Sequence, residues 1–538
     1  MEPAVRGFLA ILEKQFDRSD AYVWELLQNG VDDGAQRVIV ERLPRREGIR
    51  VCHDGRPFNP LDVLGLSSVG LSTKSLLADG NAPRSIGFMG IGFKAVYRRF
   101  KRVTVADGCW RFRYDEPERR APGEPKHAWV LQPTPLENPG ESDWCAFDLE
   151  KPRDGPRALD DDLRPPNVSA VALLGRAACA RRRRASDAPW SLDWDERRHR
   201  VSVSGSRGEE AIEVVVARGD SQTTKTFRSF VVAWRPEGDA KAAYEAHTKR
   251  PHDGNAEELR LFFDEAGGDA RAPSRPGLIH CTLPTRVKAP TPKSHLDGPF
   301  LLSVDRHTLD ARHPWNAALL ERGLGELLAK LLDWAARRAR KNAAETGSAA
   351  APAEAVLRDA YARLPVLVRS PEGRLTTTVA GAPISLARLD DALRRDAFLP
   401  VLPIGRFCRA RDCAWVPPEW ARRVPAPVLK ELFGREPLAT HVLGEAFASP
   451  DAWAGVVAAP KPRKGARATP SVLSRCGADA TLSSVAEALV EAAAATTDFD
   501  AAWPCWLAAD GEVVAAERAR FLDDDVATLP PALRTALE

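Results

Sequence analysis

The sequence predicts an α/β protein in three parts: an N-terminal α/β sandwich over residues 1–155, an α+β middle part over 169–345 that ends in a long helix, and a mostly helical α+β region over 353–538. Three observations carry this reading. Helical and strand patterns alternate through the first 150 residues. The run from Val103 to Trp110, with Asp107-Gly108 at its centre, has hairpin spacing, which argues for a mixed or antiparallel sheet and against a purely parallel one. Leu319, Leu320, Leu324, Leu327, Leu328, Leu331 and Leu332 recur at helical spacing.

In chain order, Phe8, Leu9, Leu12 and Phe16 mark a first amphipathic helix, and a second runs from about Asp20 to Gly34. Strand-like runs with β-branched residues follow at Arg37–Leu43 and Gly48–His53. A glycine-rich stretch, Ser85–Lys94, opens a short helix, and strands return at Arg102–Ala106, Cys109–Tyr114 and Trp144–Leu149. Residues 151–168, rich in Pro, Asp and Arg, read as a linker. The middle part carries strand patterns at Val201–Ser204, Glu213–Ala217, Phe230–Trp234, Leu259–Phe263, Gly277–Leu283 and Phe300–Val304, then a helix over about Trp315–Arg340. Asn342–Ala351 is small and polar, a second linker. Beyond it, Arg363–Val368, Phe398–Leu402 and Ala502–Leu507 each place a proline inside an apolar strand. They read equally as a faint repeat or as ordinary edge strands with a proline.

Composition excludes several classes. The 538 residues are 44% apolar and 28% charged, which is globular and not disordered. With 77 basic and 74 acidic residues the net charge is +3, so nothing suggests a nucleic-acid coat or a polybasic membrane anchor. Nine cysteines with no C-x-x-C pair disfavour a disulfide scaffold or zinc ribbon and fit a reducing, cytoplasmic compartment. The N-terminus carries Glu2 and Glu13 and reads as a helix, not a signal peptide; no run predicts a transmembrane helix or a membrane role.

The chemistry concentrates in four blocks. On a helix, Glu25, Asn29 and Asp32 or Asp33 share one face, beside an apolar face of Tyr22, Val23, Leu26 and Leu27. Tyr22 and Trp24 themselves read as core. Next, Val51-Cys52-His53-Asp54-Gly55-Arg56-Pro57-Phe58 ends a strand in an acid and a turn. Leu66–Lys74 follows, with Gly70, Ser72, Thr73 and Lys74. Last comes Ile86–Tyr97, where Gly87, Gly90 and Gly92 free backbone N–H groups to approach an anion at the start of a helix.

These blocks, in this order within 75 residues, resemble the ATP-binding domain shared by gyrase, the ninety-kilodalton heat-shock chaperone, histidine kinases and MutL, the GHKL ATPases. Their wording is most similar to the sacsin-type branch. The strong part covers residues 1–100 and extends as a fold to about 150. A weaker likeness continues in Leu283-Pro284-Thr285, Gly298–Arg306 and Pro314-Trp315-Asn316.

The resemblance implies a GHKL-type sandwich and assigns roles. Glu25 matches the acid that activates water for attack on the γ-phosphate, a sensible general base. Asn29 matches the amide whose oxygen ligates Mg²⁺. Asp32 supports the site, and Asp54, with Gly55 beside it, matches the carboxylate that accepts a hydrogen bond from the adenine amino group. Ser72, Thr73 and Lys74 match a phosphate-proximal segment, and Gly87, Gly90 and Gly92 the hinge and backbone donors of the ATP lid. Lys94 reads equally as a phosphate contact or as solvent-facing. Arg306 is a second-domain phosphate sensor or an ion-pair partner of Asp305 or Asp310. Two departures stand out. The usual Asp-x-Gly-x-Gly is reduced to Asp54-Gly55-Arg56-Pro57-Phe58, and Cys145 stands where a threonine commonly supports the adenine-binding acid; a thiol is the poorer partner.

The function implied is a slow ATPase that works as a conformational machine. Lid closure gates a protein client or partner subunit, in an ATP-dependent homodimer, with bacterial stress or antiviral defence as settings. Two alternatives come from other classes. One is a nucleic-acid-linked clamp ATPase of the MutL or MORC kind, supported by Arg181–Arg184, which otherwise read as a solvated helix face. The other is a non-hydrolysing scaffold that uses nucleotide as a structural ligand. His280/Cys281 and Cys408/Cys413 lack metal-ligand company and read as structural.

Overall fold

The computed structural model describes residues 21–44, 47–68, 92–119, 128–137, 143–164, 167–180, 189–195, 199–204, 211–248, 251–265, 277–281, 283–303, 308–345, 351–443, 475, 482–495, 504–507 and 513–515. The first expected helix, Ser72–Lys74, Gly87, Gly90, Arg181–Arg184 and Arg306 lie outside them.

Helix α1 (Ala21–Asp32) buries Tyr22, Val23, Leu26, Leu27 and Val31. Strands β1 (Arg37–Arg42), β2 (Gly48–His53), β3 (Phe100–Asp107), β4 (Trp110–Asp115) and β6 (Cys145–Pro152) pair antiparallel, with the short β5 (Thr134–Pro135) at the edge. Their register lines up Val40, Val51, Phe147, Val105 and Phe112, all buried, as one apolar row across the sheet. The next row, Glu41, Arg50, Asp148, Thr104 and Arg113, faces the other way and is polar: Arg50 Nε meets Asp148 Oδ1 at 2.6 Å. That period of two is what splits a strand between core and outer face. The β3–β4 turn is the expected hairpin, Asp107 opposite Trp110, with Gly108 at φ +53°.

The sheet does not stop at the expected domain boundary. Strands β7 (Trp190–Trp194), β8 (His199–Ser204), β9 (Ala211–Arg218), β10 (Ser221–Trp234), β11 (Glu257–Asp264), β12 (Leu278–Cys281), β13 (Leu283–Lys288) and β14 (His295–Asp297) continue it to fourteen strands, in the order β13-β12-β14-β11-β10-β9-β8-β7-β1-β2-β6-β3-β4-β5. The join is a parallel pairing of β1 with β7, Arg37 opposite Ser191 through Val40 opposite Trp194. The fold is therefore mixed α/β around one large mixed sheet, with a second parallel pair at β12–β14.

The segment 151–168, expected to be a linker, is packed instead. Helix α2 (Pro60–Ser67) and the short α3 (Val96–Arg99) precede it. Within the segment itself, α4 (Leu159–Asp162) buries Leu159, and Asp162 Oδ2 accepts from Tyr22 Oη at 3.1 Å and from Arg99 Nε at 2.9 Å. Helix α5 (Val168–Ala180) then lies on the sheet. A Cβ on its Gly175 would stand 2.6 Å from Val203 and 2.7 Å from Trp190, so only glycine permits this approach.

Two apolar cores result, and they divide within β10. One runs from Tyr22 to Phe227 and includes Phe262; the other runs from Phe230 to Ala492. Phe227 and Phe230 are three positions apart on a strand, so they face opposite sides of the sheet. On β11, Leu261 and Phe263 belong to the second core while Phe262 between them belongs to the first. The second core is built on helix α7 (Pro314–Glu345), longer than expected at both ends, with α6 (Gly238–Thr248), α8 (Ala351–Tyr361) and α9 (Ala387–Arg395). It continues through the C-terminal helices Pro418–Arg423, Ala426–Phe433 and Leu482–Ala494. The region beyond 353 thus shares a core with the middle part, and Asn342–Ala351 does not separate them as a linker would. The strand expected at Phe300–Val304 reduces to a bridge between Leu302 and Leu309. Of the three proline-bearing strands expected, two are strands with their proline, Leu399–Val401 and Pro504–Leu507, while Arg363–Val368 leaves only the short strand Val368–Arg369, without Pro365.

Candidate functional site

Helix α1 sets Glu25 and Asn29 one turn apart. Glu25 is buried, and Asn29 and Asp32 are half-buried. The residue after Asn29 is Gly30, where a Cβ would stand 3.1 Å from two carbons of the His53 ring. This close approach seats α1 against the end of β2. The helix ends in Asp33 and Gly34, the latter at φ +78°.

At the end of β2 the alternation decides which side chain faces the helix. Val51 and His53 turn inward and are buried. His53 Nδ1 accepts from the Gly55 amide at 3.3 Å, and a Cβ on Gly55 would crowd that ring at 3.0 Å. Asp54 has the opposite parity and is half-buried. Its Oδ1 accepts from the backbone N–H groups of Gln36 and Arg37, each at 2.8 Å, tying the turn to the start of β1. Both bonds fall on one oxygen.

Arg56 holds the surrounding elements together. Its backbone N–H donates to Asp33 O at 2.8 Å, Nη1 to Asp62 Oδ2 at 2.6 Å, and Nη2 lies 3.6 Å from Asp33 Oδ1. The bond to Asp62 raises the guanidinium further above its ordinary range. Asp62 in turn closes a capping box with Asn59 at the start of α2, Asn59 N to Asp62 Oδ2 at 2.9 Å and Asp62 N to Asn59 Oδ1 at 3.0 Å. One arginine thus bridges the end of α1, the turn after β2 and the start of α2.

Behind this lies Asp107, buried, whose Oδ2 accepts from Phe58 N at 2.6 Å and whose carboxyl is pushed up, chiefly by burial. The Cys145 thiol is pushed far up, first by burial and then by Asp107 and Asp33. Cys145, the departure noted in the sequence, stands opposite His53 in the β2–β6 ladder.

Gly92 opens a 3₁₀ turn, Gly92–Ala95. On it Lys94 is buried, so it is not solvent-facing. Its Nζ donates to Leu66 O and, at 3.3 Å, to Val130 O, and it lies 5.5–5.8 Å from the ring centres of Phe93, Tyr97 and Tyr114. Burial lowers it to about 7. A phosphate contact would have to draw it away from these partners, so its structural role is to join the end of α2 to the turn at 92–95.

The structure thus sets Glu25, Asn29 and Asp32 on α1, brings the end of that helix at Asp33 against the turn of Gly55 and Arg56, bonds Asp54 to the start of β1, and holds Lys94 apart in an aromatic pocket. Sequence reasoning passed over His53 and Arg56. The strand alternation Ile49, Val51, His53 would have found the first. Arg56 has no such signal, because its partners are up to 23 positions away on other elements. Among the described residues, no group of three His, Cys, Asp or Glu side chains could hold a metal ion, and no helix is long and apolar enough to cross a membrane. The sequence matches no known protein-family model, and no curated protein matches it.

Proposed function

We propose that residues 25–62 form the floor of an ATP site of the GHKL, sacsin-like kind, and that the protein is a slow ATPase whose nucleotide state alters what its second half binds. The observation that carries the reading is the pair Glu25 and Asn29, a carboxylate and an amide on adjacent turns of a helix pinned through Gly30 to the end of β2. Glu25 takes the proton of the attacking water as its oxygen bonds to the terminal phosphorus and ADP leaves with the bridging oxygen's electron pair. The Asn29 side-chain oxygen, half-buried and hard, suits Mg²⁺, with phosphate oxygens and water completing the shell. Bound there, the ion supplies charge neutralisation on the phosphates. Asp54 receives the adenine amino group on the oxygen not used by β1.

A route to the rest of the protein supports the conformational part. Asp54 bonds the amides of Gln36 and Arg37, and Gln36 O accepts from Ser191 N of β7 at 2.9 Å. A shift at Asp54 on nucleotide binding is thus two hydrogen bonds from the strand that begins the second half of the sheet. The partner is a client protein, a partner subunit or a second copy of the chain. Phosphate release from purified protein with Mg²⁺ and ATP tests the catalytic claim. Glu25→Ala is expected to lower turnover at least about 10²-fold with nucleotide still bound; an unchanged rate removes Glu25 from the chemistry.

A further inference from the structure

Helix α1 carries one more polar side chain, Gln28, and it is the most completely buried of them, at 0% exposure. Its Oε1 and Nε2 are both sealed from solvent, and among the described residues neither has a hydrogen-bond partner. A carboxamide offers two donors and two acceptor lone pairs. Leaving all of them unused inside a protein carries a desolvation penalty with no return, and such groups are uncommon in folded proteins.

Its place on the helix says which way the amide faces. At about 100° per residue, Gln28 lies roughly 150° from the centre of the stripe formed by Tyr22, Val23, Leu26, Leu27 and Val31. That stripe packs in the core with the sheet residues. The neighbours of Gln28 at i−3 and i+4 are Glu25 and Asp32, the two acids that α1 brings to the candidate site. The unpaired amide therefore belongs to the polar face of α1 and not to its core face.

We infer that Gln28 orients the attacking water in the nucleotide site, and that its hydrogen bonds are completed only when nucleotide and water are bound. This rests on the ATPase reading above. Oε1 accepts one hydrogen of the water whose other proton passes to Glu25. Nε2 donates to an oxygen of the terminal phosphoryl group, where negative charge gathers as the bond to ADP breaks. The pairing asks nothing of the chain beyond the proton transfer to Glu25, and a glutamine amide in this use supplies orientation and a dipole, not a base.

The test is Gln28→Met, close in volume and without the amide, in the full-length protein. Melting temperature, ATP affinity by calorimetry, and kcat and KM for phosphate release are measured side by side with wild type. The expected result is opposition: melting rises by about 2–4 °C, because an unpaired polar group has been removed, while kcat falls about 10²-fold with KM and Kd within about threefold. A purely structural glutamine cannot give a more stable and less active protein. A variant that melts lower than wild type, or does not fold, shows the amide to be paired within the protein and overturns the inference. So does a variant that melts higher with kcat unchanged. Wild type that binds no ATP defeats the ATPase reading and this inference with it. A kcat loss confined to Glu25→Ala defeats this inference alone.

Discussion

The Asp54 carboxylate accepts the backbone N–H of Arg37 at 2.8 Å and so fixes the first residue of β1 to the turn that ends β2. A second amide, from Gln36, shares the same oxygen at 2.8 Å. An asparagine can keep both bonds through its own Oδ1 but loses the charge that strengthens them. Asp54→Asn is therefore expected to fold, losing about 1 kcal/mol or less, whereas Asp54→Ala strands two amides and loses about 2–3 kcal/mol. Urea unfolding of the two variants checks this, and it makes Asp54→Asn the variant that separates nucleotide binding from folding.

Arg56→Met removes the cation that faces Asp33 and Asp62. Both carboxylates are largely buried, and taking this cation from them is expected to lower stability by about 2–4 kcal/mol. Arg56→Lys keeps a charge but cannot span both acids with one planar fork, and it is expected to fall between wild type and Arg56→Met. Denaturant midpoints order the three proteins.

Lys94 gives the N-terminal core a pH dependence. Burial lowers its folded pKa to about 7 from an ordinary 10.5, so between those values the unfolded chain holds more protons than the folded one. Stability from this group is present above about 10 and is lost as pH falls through about 7, at about 1.4 kcal/mol per unit of difference. The two carbonyls and three rings around Nζ favour the ammonium and reduce that slope. The phenols beside it do not confuse the window, since Tyr114 is pushed up to about 12 and Tyr97 is raised well above its ordinary value, both chiefly by burial. Unfolding free energy should rise from pH 7 to 10 in wild type and more shallowly in Lys94→Met.

In the second core, His280 Nε2 lies 3.0 Å from His295 Nδ1, both rings buried or nearly so against Phe262. Burial and then Arg363 push His295 down to about 4, and burial with His295 pushes His280 far down. Here the unfolded chain gains protons first as pH drops, so stability is lost between about 6.5 and 4. His295→Phe should flatten that acid limb in melting temperatures taken from pH 7 to 4. The sequence reading placed His280 and Cys281 as structural, and this pair gives the physical content of that role.

What the sequence made legible follows from locality. The β3–β4 hairpin was readable because its turn, Asp107-Gly108, is four residues long in effect and needs one positive φ. Helix α7 was readable from its leucines. The parallel β1–β7 join was not, because it pairs residues about 150 positions apart and leaves no local mark. The same holds for the segment at 151–168: its composition is that of a linker, yet Leu159 is buried and Asp162 is bonded by Tyr22 and Arg99 from distant elements. At the site, spacing alone put Glu25 and Asn29 on one face. It placed Asp54 at the end of a strand, but did not give the strand parity that turns His53 toward the helix and Asp54 toward β1. Lys94 read equally as a phosphate contact or as solvent-facing, because nothing local to it announces the rings of Phe93, Tyr97 and Tyr114 around it.

The central claim is that this chain binds ATP at the end of β2. Calorimetric titration of ATP with Mg²⁺ into wild type and into Asp54→Asn tests it most directly. The account predicts one site per chain in wild type and at least about a tenfold loss of affinity in Asp54→Asn, whose unfolding free energy stays within about 1 kcal/mol of wild type. No heat of binding to wild type at millimolar ATP, or equal affinity in the two proteins, contradicts it.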